Sequence, residues 1–178
     1  MERVDFDYVL AIDPGLSGAI ALYHASTGEL ELTDIPTRTK KNGRREYALD
    51  VLRDAIGDAA AFADVAVVEQ VSAMPRQGVG SAFAFGYGCG LIDGVLAGYP
   101  LPVRHVVPAV WKAGAGIARV GAEARRADRK NAARARACEV FPNVAEWFAR
   151  AKDDGRAEAA LLAWWFSLNH SDVEAKAA

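Results

Sequence analysis

The chain has 178 residues, 52% of them hydrophobic and 25% charged, and a net charge of −2 at neutral pH. This is ordinary globular composition; it excludes a disordered or collagenous chain, and two cysteines exclude a disulfide-built scaffold and a cysteine-rich zinc framework. No apolar run reaches the roughly 18 residues of a bilayer span, and MERVDFDYVL lacks the basic lead and cleavage site of a signal peptide. One domain over residues 1–178, cytoplasmic and with no membrane partner, is the expectation.

Three β-rich segments come first, YVLAID, GAIALYH and ELELTDI, separated by PGLS and ASTG. Gly and Pro punctuate tight turns, so these read as an antiparallel meander. PTRTKKNGRR, residues 36–45, is basic and without periodicity and reads as an exposed loop. Helical spacing begins near Glu46, with Tyr47, Leu49, Val51, Leu52 and Ile56 recurring three or four apart. DVAVVEQV is the next strand, and it ends on an acid, Glu69.

After the loop SAMPRQG, the apolar segment VGSAFAFGYGCGLIDGVLAG carries glycines at 80, 86, 88, 90 and 94. Glycine weakens an exposed helix, so a buried helix lying across a sheet face is expected. LPVRHVV is a short strand and PAVWKAGAGI a helix opened by proline. Glu123 to Val140 reads as a long basic helix, and DDGRAEAALLAWWFSL as a C-terminal core helix with Ala159, Leu162, Ala163 and Phe166 on one face. The tail 170–178 is expected to fray. Cys89 and Cys138 read as reduced, packed thiols. The sum is an α/β fold: a mixed five-stranded sheet, a three-strand antiparallel meander plus parallel strands, with helices on both faces.

The small net charge hides an uneven distribution. Pro108 to Arg136 holds eight basic residues against Glu123 and Asp128, so it carries +6 and the remainder −8. A basic stripe on an acidic body suits a polyanionic partner, although a solvated helix face has the same composition.

The acids offer a more specific signal. Asp13 and Glu69 each end an apolar strand, and ends of adjacent strands lie about 5 Å apart. Asp154 and Glu158 are four residues apart, one turn of one helix face, and Asp153 is a less well aligned neighbour. Each alone has an ordinary explanation: Asp13 before Pro-Gly as a turn residue, DDGRAE as an N-cap with first-turn acids. Together they would repel unless a hard divalent cation sat among them. Mg²⁺ accepts such carboxylates along with water and phosphate oxygens, and two ions about 4 Å apart serve phosphodiester hydrolysis.

In AIDPGLSGAIAL, VVEQVSAMPRQGVGSAFAFGYGCGLIDGVLAG, VVPAVWKAGAGI, RADRKNAARARACEVFP and KDDGRAEAALLA, in that order from about Asp7 to Leu168, the chain resembles the RuvC family of Holliday junction resolvases, within the RNase H-like superfamily and nearest its phage-type members. The resemblance implies an RNase H-like fold and a catalytic, metal-binding set of Asp13, Glu69, Asp154 and Glu158, with Asp153 as a possible further ligand. It implies two Mg²⁺ ions, or Mn²⁺, per site, and a homodimer that cuts opposed strands of four-way DNA as a crossover junction endodeoxyribonuclease, leaving 5′-phosphates. Arg76, Lys112, Arg129 and Lys130 are the expected DNA-binding residues, set to neutralise phosphates.

Two departures stand out. Cellular members space the last two acids by three, here by four with a Glu; and they carry an aromatic soon after EQV, where this chain has Ser72 with Met74 and Arg76 nearby. The second keeps open a less selective branched-DNA or flap nuclease, or a nuclease of structured RNA. DPGLSG also resembles the first phosphate loop of actin-like and sugar-kinase folds, but those need a second half and a second phosphate loop, so no nucleotide cofactor is expected. Phe83, Phe85, Tyr87, Trp111, Trp164 and Trp165 read as core or dimer interface, and His24 and His105 as structural.

Overall fold

A computed structural model describes residues 6–70, 78–117 and 126–177. Its centre is a five-stranded sheet in the order β3-β2-β1-β6-β7. Strands β1 (Tyr8–Ile12), β2 (Ala19–His24) and β3 (Glu29–Asp34) form the expected antiparallel meander. Strand β6 (Val65–Glu69) pairs parallel with β1, and β7 (Val103–Val106) parallel with β6. The two central strands are buried on both faces, which is why they are almost wholly apolar.

Alternation along them divides the core in two. Val9, Ala11, Val65 and Val67 face one layer, with Trp111, Phe141, Phe148, Ala160 and Phe166 packed there. Leu10, Ile12, Ala66 and Val68 face the other, under Leu52, Ile56, Ile92 and Leu96. The first layer is built by α3 (Pro108–Gly114), α4 (Arg126–Val140), a 3₁₀ segment (Pro142–Phe148) and α5 (Asp154–Ala177); the second by α1 (Leu49–Ala60) and α2 (Val79–Leu96). Both cysteines are free. His24 bonds Asp7 and Thr27, and His105 bonds Asp93, so each of these two has a structural partner.

Several expectations change. The basic segment 36–45 is not an open loop: β4 (Thr37–Thr39) and β5 (Arg45–Tyr47) pair as a separate antiparallel hairpin. Gly43 near its tip has φ of +77°, a turn geometry that glycine adopts without strain. The pairing escaped the pattern because both strands are mostly polar and lie outside the main sheet, and Tyr47 belongs to β5 rather than to the following helix.

The helix expected to be buried across the sheet is mostly exposed. Only Gly88, Ile92 and Leu96 of α2 are buried, while Val79, Phe83 and Tyr87 stand in the open, Phe83 at 77% exposure. Gly88 is needed for close approach, because a Cβ there would strike the Tyr47 hydroxyl; Gly86, Gly90 and Gly94 face open space among the described residues. With 18 residues and a mean hydropathy of 1.4, α2 is long and apolar enough to cross a membrane by length and composition, which corrects the expectation that no segment is.

At the other end of the chain, α5 continues to Ala177, through the tail expected to fray. The long basic helix is described from Arg126, and the residues 118–125 before it lie outside the described part.

Candidate active site

The parallel pairing of β1 and β6 sets the site. Ile12 is opposite Val68, so the next residues, Asp13 and Glu69, leave neighbouring strands at the same C-terminal edge of the sheet. The backbone N–H of Asp13 still bonds Ala19 O at 3.0 Å, and its Oδ1 accepts a bond from Gly15 N–H at 3.3 Å. The turn reading of Pro14 and Gly15 and the placement of Asp13 at the edge therefore coexist.

Helix α5 brings the remaining acids. It starts against the loop after Asp13 at a backbone-to-backbone contact that tolerates no side chain. A Cβ on Gly155 would lie 2.1 Å from Ser17 O, and one on Gly18 would lie 2.1 Å from Asp13 O. Neither glycine was singled out in the sequence. The available signal was a glycine in the first turn of a helix, directly after an acid pair, where its low helix propensity needs a reason. Arg156 then ties α5 to the end of β3 through Asp34, with bonds of 2.6 and 2.8 Å that hold Asp34 below the usual carboxylate range.

The interior of the site is charged. Glu69 is only 6% exposed; its Oε1 accepts a bond from Trp111 Nε1 at 3.1 Å and an ion pair from Lys112 Nζ at 3.2 Å. The same ammonium lies 2.9 Å from Glu158 Oε2 and 5.1 Å from the centre of the Trp111 ring. Both come from α3, which follows β7, the strand beside Glu69. Trp111, expected as core or dimer interface, is a fully buried core residue whose indole N–H also orients a carboxylate.

Burial works against the charge of Lys112, but Glu158 and Glu69 outweigh it and the ammonium stays above its ordinary pKa. Burial raises Glu158 as well, with Lys112 opposing the rise and Glu69 adding to it. Asp13 is affected most: burial, then the charges of Glu158 and Glu69, push it up to about 7. One lysine does not compensate three desolvated carboxylates, and Asp13 carries the deficit as a proton affinity.

The expected residues therefore fall into three groups. Asp13, Glu69 and Glu158 interact with one another, and the charge of Asp154, in the first turn of α5, adds a smaller contribution to the raising of Glu158. Asp153 is engaged elsewhere. It is 2% exposed, takes bonds from Arg150 Nε and a terminal nitrogen and from the Arg150 N–H, all within 3.2 Å, and its carbonyl accepts the first helical bond of α5. Burial opposes its ionisation, yet Arg150 prevails and holds it below the usual range. Arg76 lies outside the described residues. Arg129 and Lys130 fall within α4, with side chains outside the described part of the structure.

The donors are of the right kind for Mg²⁺ or Mn²⁺: hard carboxylate oxygens in excess over local positive charge. As they stand, however, no three possible ligands among the described residues converge closely enough to hold an ion. Between Glu69 and Glu158 the cation on hand is the Lys112 ammonium.

No protein-family model matches the chain, and no curated protein matches it. Among solved structures it is similar to Thermus thermophilus RuvC in complex with Holliday junction substrate, with 14% identity, a TM-score of 0.58 and coverage of 93% of this chain and 95% of that one. It is likewise similar to a second Thermus thermophilus RuvC structure, with 13% identity, a TM-score of 0.55 and coverage of 93% and 96%. At such identity the likeness is one of fold: this chain has the RuvC-like, RNase H-like arrangement, a mixed five-stranded sheet with helices on both sides.

Proposed function

We propose that the protein is a metal-dependent endodeoxyribonuclease that resolves four-way DNA junctions by phosphodiester hydrolysis. The observation that carries this reading is the meeting of Asp13, Glu69 and Glu158 at the C-terminal edge of β1 and β6, on a fold shared with RuvC. Asp13, Glu69, Glu158 and Asp154 would hold the divalent ions, two per site. Bound Mg²⁺ supplies charge neutralisation and Lewis acidity at the phosphoryl oxygens.

The chain's own groups do the rest. Trp111 fixes Glu69 in one orientation. Lys112, a third exposed, keeps Glu69 and Glu158 together and would be one cation that a scissile phosphate meets at this edge. The Gly18–Gly155 contact keeps α5 in register with Asp13.

A homodimer belongs to this reading, because two opposed cuts need two sites. The open apolar side of α2, with Val79, Phe83, Tyr87 and the four unobstructed glycines Gly80, Gly86, Gly90 and Gly94, supports a second copy as its cover. A cytoplasmic location follows from the DNA substrate.

The deciding experiment is cleavage of a synthetic mobile junction with Mg²⁺, Mn²⁺ or EDTA, comparing wild type with Asp13→Asn and Glu158→Gln. Metal-dependent cutting that both substitutions abolish is expected; cutting at the wild-type rate by Asp13→Asn overturns the assignment. The same assay on Y-forks, duplex DNA and structured RNA separates junction resolution from less selective nuclease action, which the absence of an aromatic after EQV favours as the second reading.

A further inference from the structure

The β4–β5 hairpin has a composition and a mounting that the carboxylate cluster does not require. Between Thr37 and Tyr47 it carries Arg38, Lys40, Lys41, Arg44 and Arg45 against the single acid Glu46, a local +4 on a chain of net −2. Like charges at this density repel, so the arrangement needs a structural or a binding reason.

Structure accounts for three of the five. Glu46 takes Arg38 at 2.9 Å and Lys40 at 2.7 Å. Arg45 is spent at the base, where its guanidinium donates to Leu16 O at 2.5 Å and Ser17 Oγ at 3.2 Å. Lys41 and Arg44, at the tip, are exposed and have no ion-pair partner among the described residues.

The mounting gives those two charges a fixed place. The buried Tyr47 hydroxyl donates to Pro14 O at 2.8 Å, and Ala48 N–H closes the base on Pro36 O at 3.0 Å. Pro14, Leu16 and Ser17 are the loop that leaves Asp13. The hairpin is thus anchored on the same short segment that positions the strand-borne carboxylate. Three paired residues per strand, at about 3.3 Å each, carry the tip about 10 Å from that anchor. At about 3.4 Å of helix axis per nucleotide, this is a separation of about three nucleotides.

We propose that the β4–β5 hairpin is a DNA-backbone clamp, in which Lys41 and Arg44 grip phosphates about three nucleotides from the one at the acidic site. The clamp rests on the nuclease reading given above and adds to it a substrate contact set outside the carboxylate cluster. Its contribution is positional and sequence-independent: it holds a duplex arm beside the loop that leaves Asp13 and reads no base.

The test is fluorescence anisotropy of a labelled four-way junction in EDTA, titrated from 50 to 200 mM salt, with wild type, Lys41→Ala/Arg44→Ala, the charge-preserving Lys41→Arg/Arg44→Lys, and Arg53→Ala as a basic control on α1. Both tip side chains are exposed, so the double variant should fold; thermal melting verifies that. Loss of two phosphate contacts should flatten the slope of log K against log salt by about 1.8 and weaken binding at 0.1 M salt by roughly tenfold to a hundredfold. The charge-preserving variant and Arg53→Ala should stay near wild type. Wild-type affinity and slope in the double alanine variant, while the wild type binds and cuts junctions, overturn the clamp and leave the nuclease reading intact. A wild type that binds no DNA at 50 mM salt overturns both. A loss seen on structured RNA but not on DNA overturns the DNA assignment.

Discussion

Replacing the central acid of the site should stabilise the metal-free protein, and only at high pH. Asp13 has an ordinary pKa of 3.8 and about 7 in the fold. Between these values the folded state keeps a proton that the unfolded chain has released, so this group makes stability fall as pH rises through the window, with the full penalty present above about pH 7. Three units at 1.36 kcal/mol each set an upper limit of about 4 kcal/mol, and the partial accessibility of the side chain brings the expectation to about 2 kcal/mol. Asn is nearly isosteric, keeps an oxygen for Gly15 N–H and carries no charge at any pH.

Asp13→Asn in EDTA should therefore melt close to wild type at pH 4.5 and about 4–8 °C higher at pH 8.5, using 2–4 °C per kcal/mol for a chain of this size. Differential scanning calorimetry at the two pH values reads the effect. Added Mg²⁺ should raise the wild-type melting temperature at pH 8.5 and leave the variant nearly unmoved. Equal offsets at both pH values, or a variant less stable at pH 8.5, would refute the claim that Asp13 bears the charge deficit of the cluster.

Lys112→Met leaves Glu69 and Glu158 desolvated without their cation. Because the lysine is a third exposed, the cost should sit near 2 kcal/mol, below the range for fully buried pairs; melting in EDTA measures it, and Mg²⁺ should restore more stability than it adds to wild type. Gly155→Ala would gain up to about 1 kcal/mol in an isolated helix, but here the Cβ meets Ser17 O, so about 1–3 kcal/mol should be lost in urea unfolding, together with cleavage activity as α5 is pushed from Asp13. Phe83→Asp should shift sedimentation toward monomer without lowering the melting temperature of the protomer, since the side chain touches little within it.

Much of the architecture follows from local chemistry that a sequence displays. Alternating or continuous apolar runs bounded by Gly and Pro mark β1, β2, β3, β6 and β7, and burial on both faces explains why β1 and β6 are uninterrupted. Asp13 and Glu69 were legible as strand-end acids, and Asp154 and Glu158 as one helix face, because periodicity alone puts them there. The β4–β5 hairpin and the exposure of α2 were not legible. A polar two-stranded ribbon has no apolar period, and an apolar, glycine-rich helix has one composition whether it faces a core, a second copy or a bilayer.

What tertiary structure alone decided is which charges meet. Asp153 and Asp154 are adjacent in sequence, yet Arg150 claims the first while the charge of the second is felt at Glu158. Lys112, expected as a phosphate contact, stands between Glu69 and Glu158 because β7 delivers α3 beside β6. Sequence spacing orders residues along one element; the field at a carboxylate is set by charges arriving from other elements at distances of a few ångströms, and only the packing of α3 and α5 onto the ends of β1 and β6 supplies those.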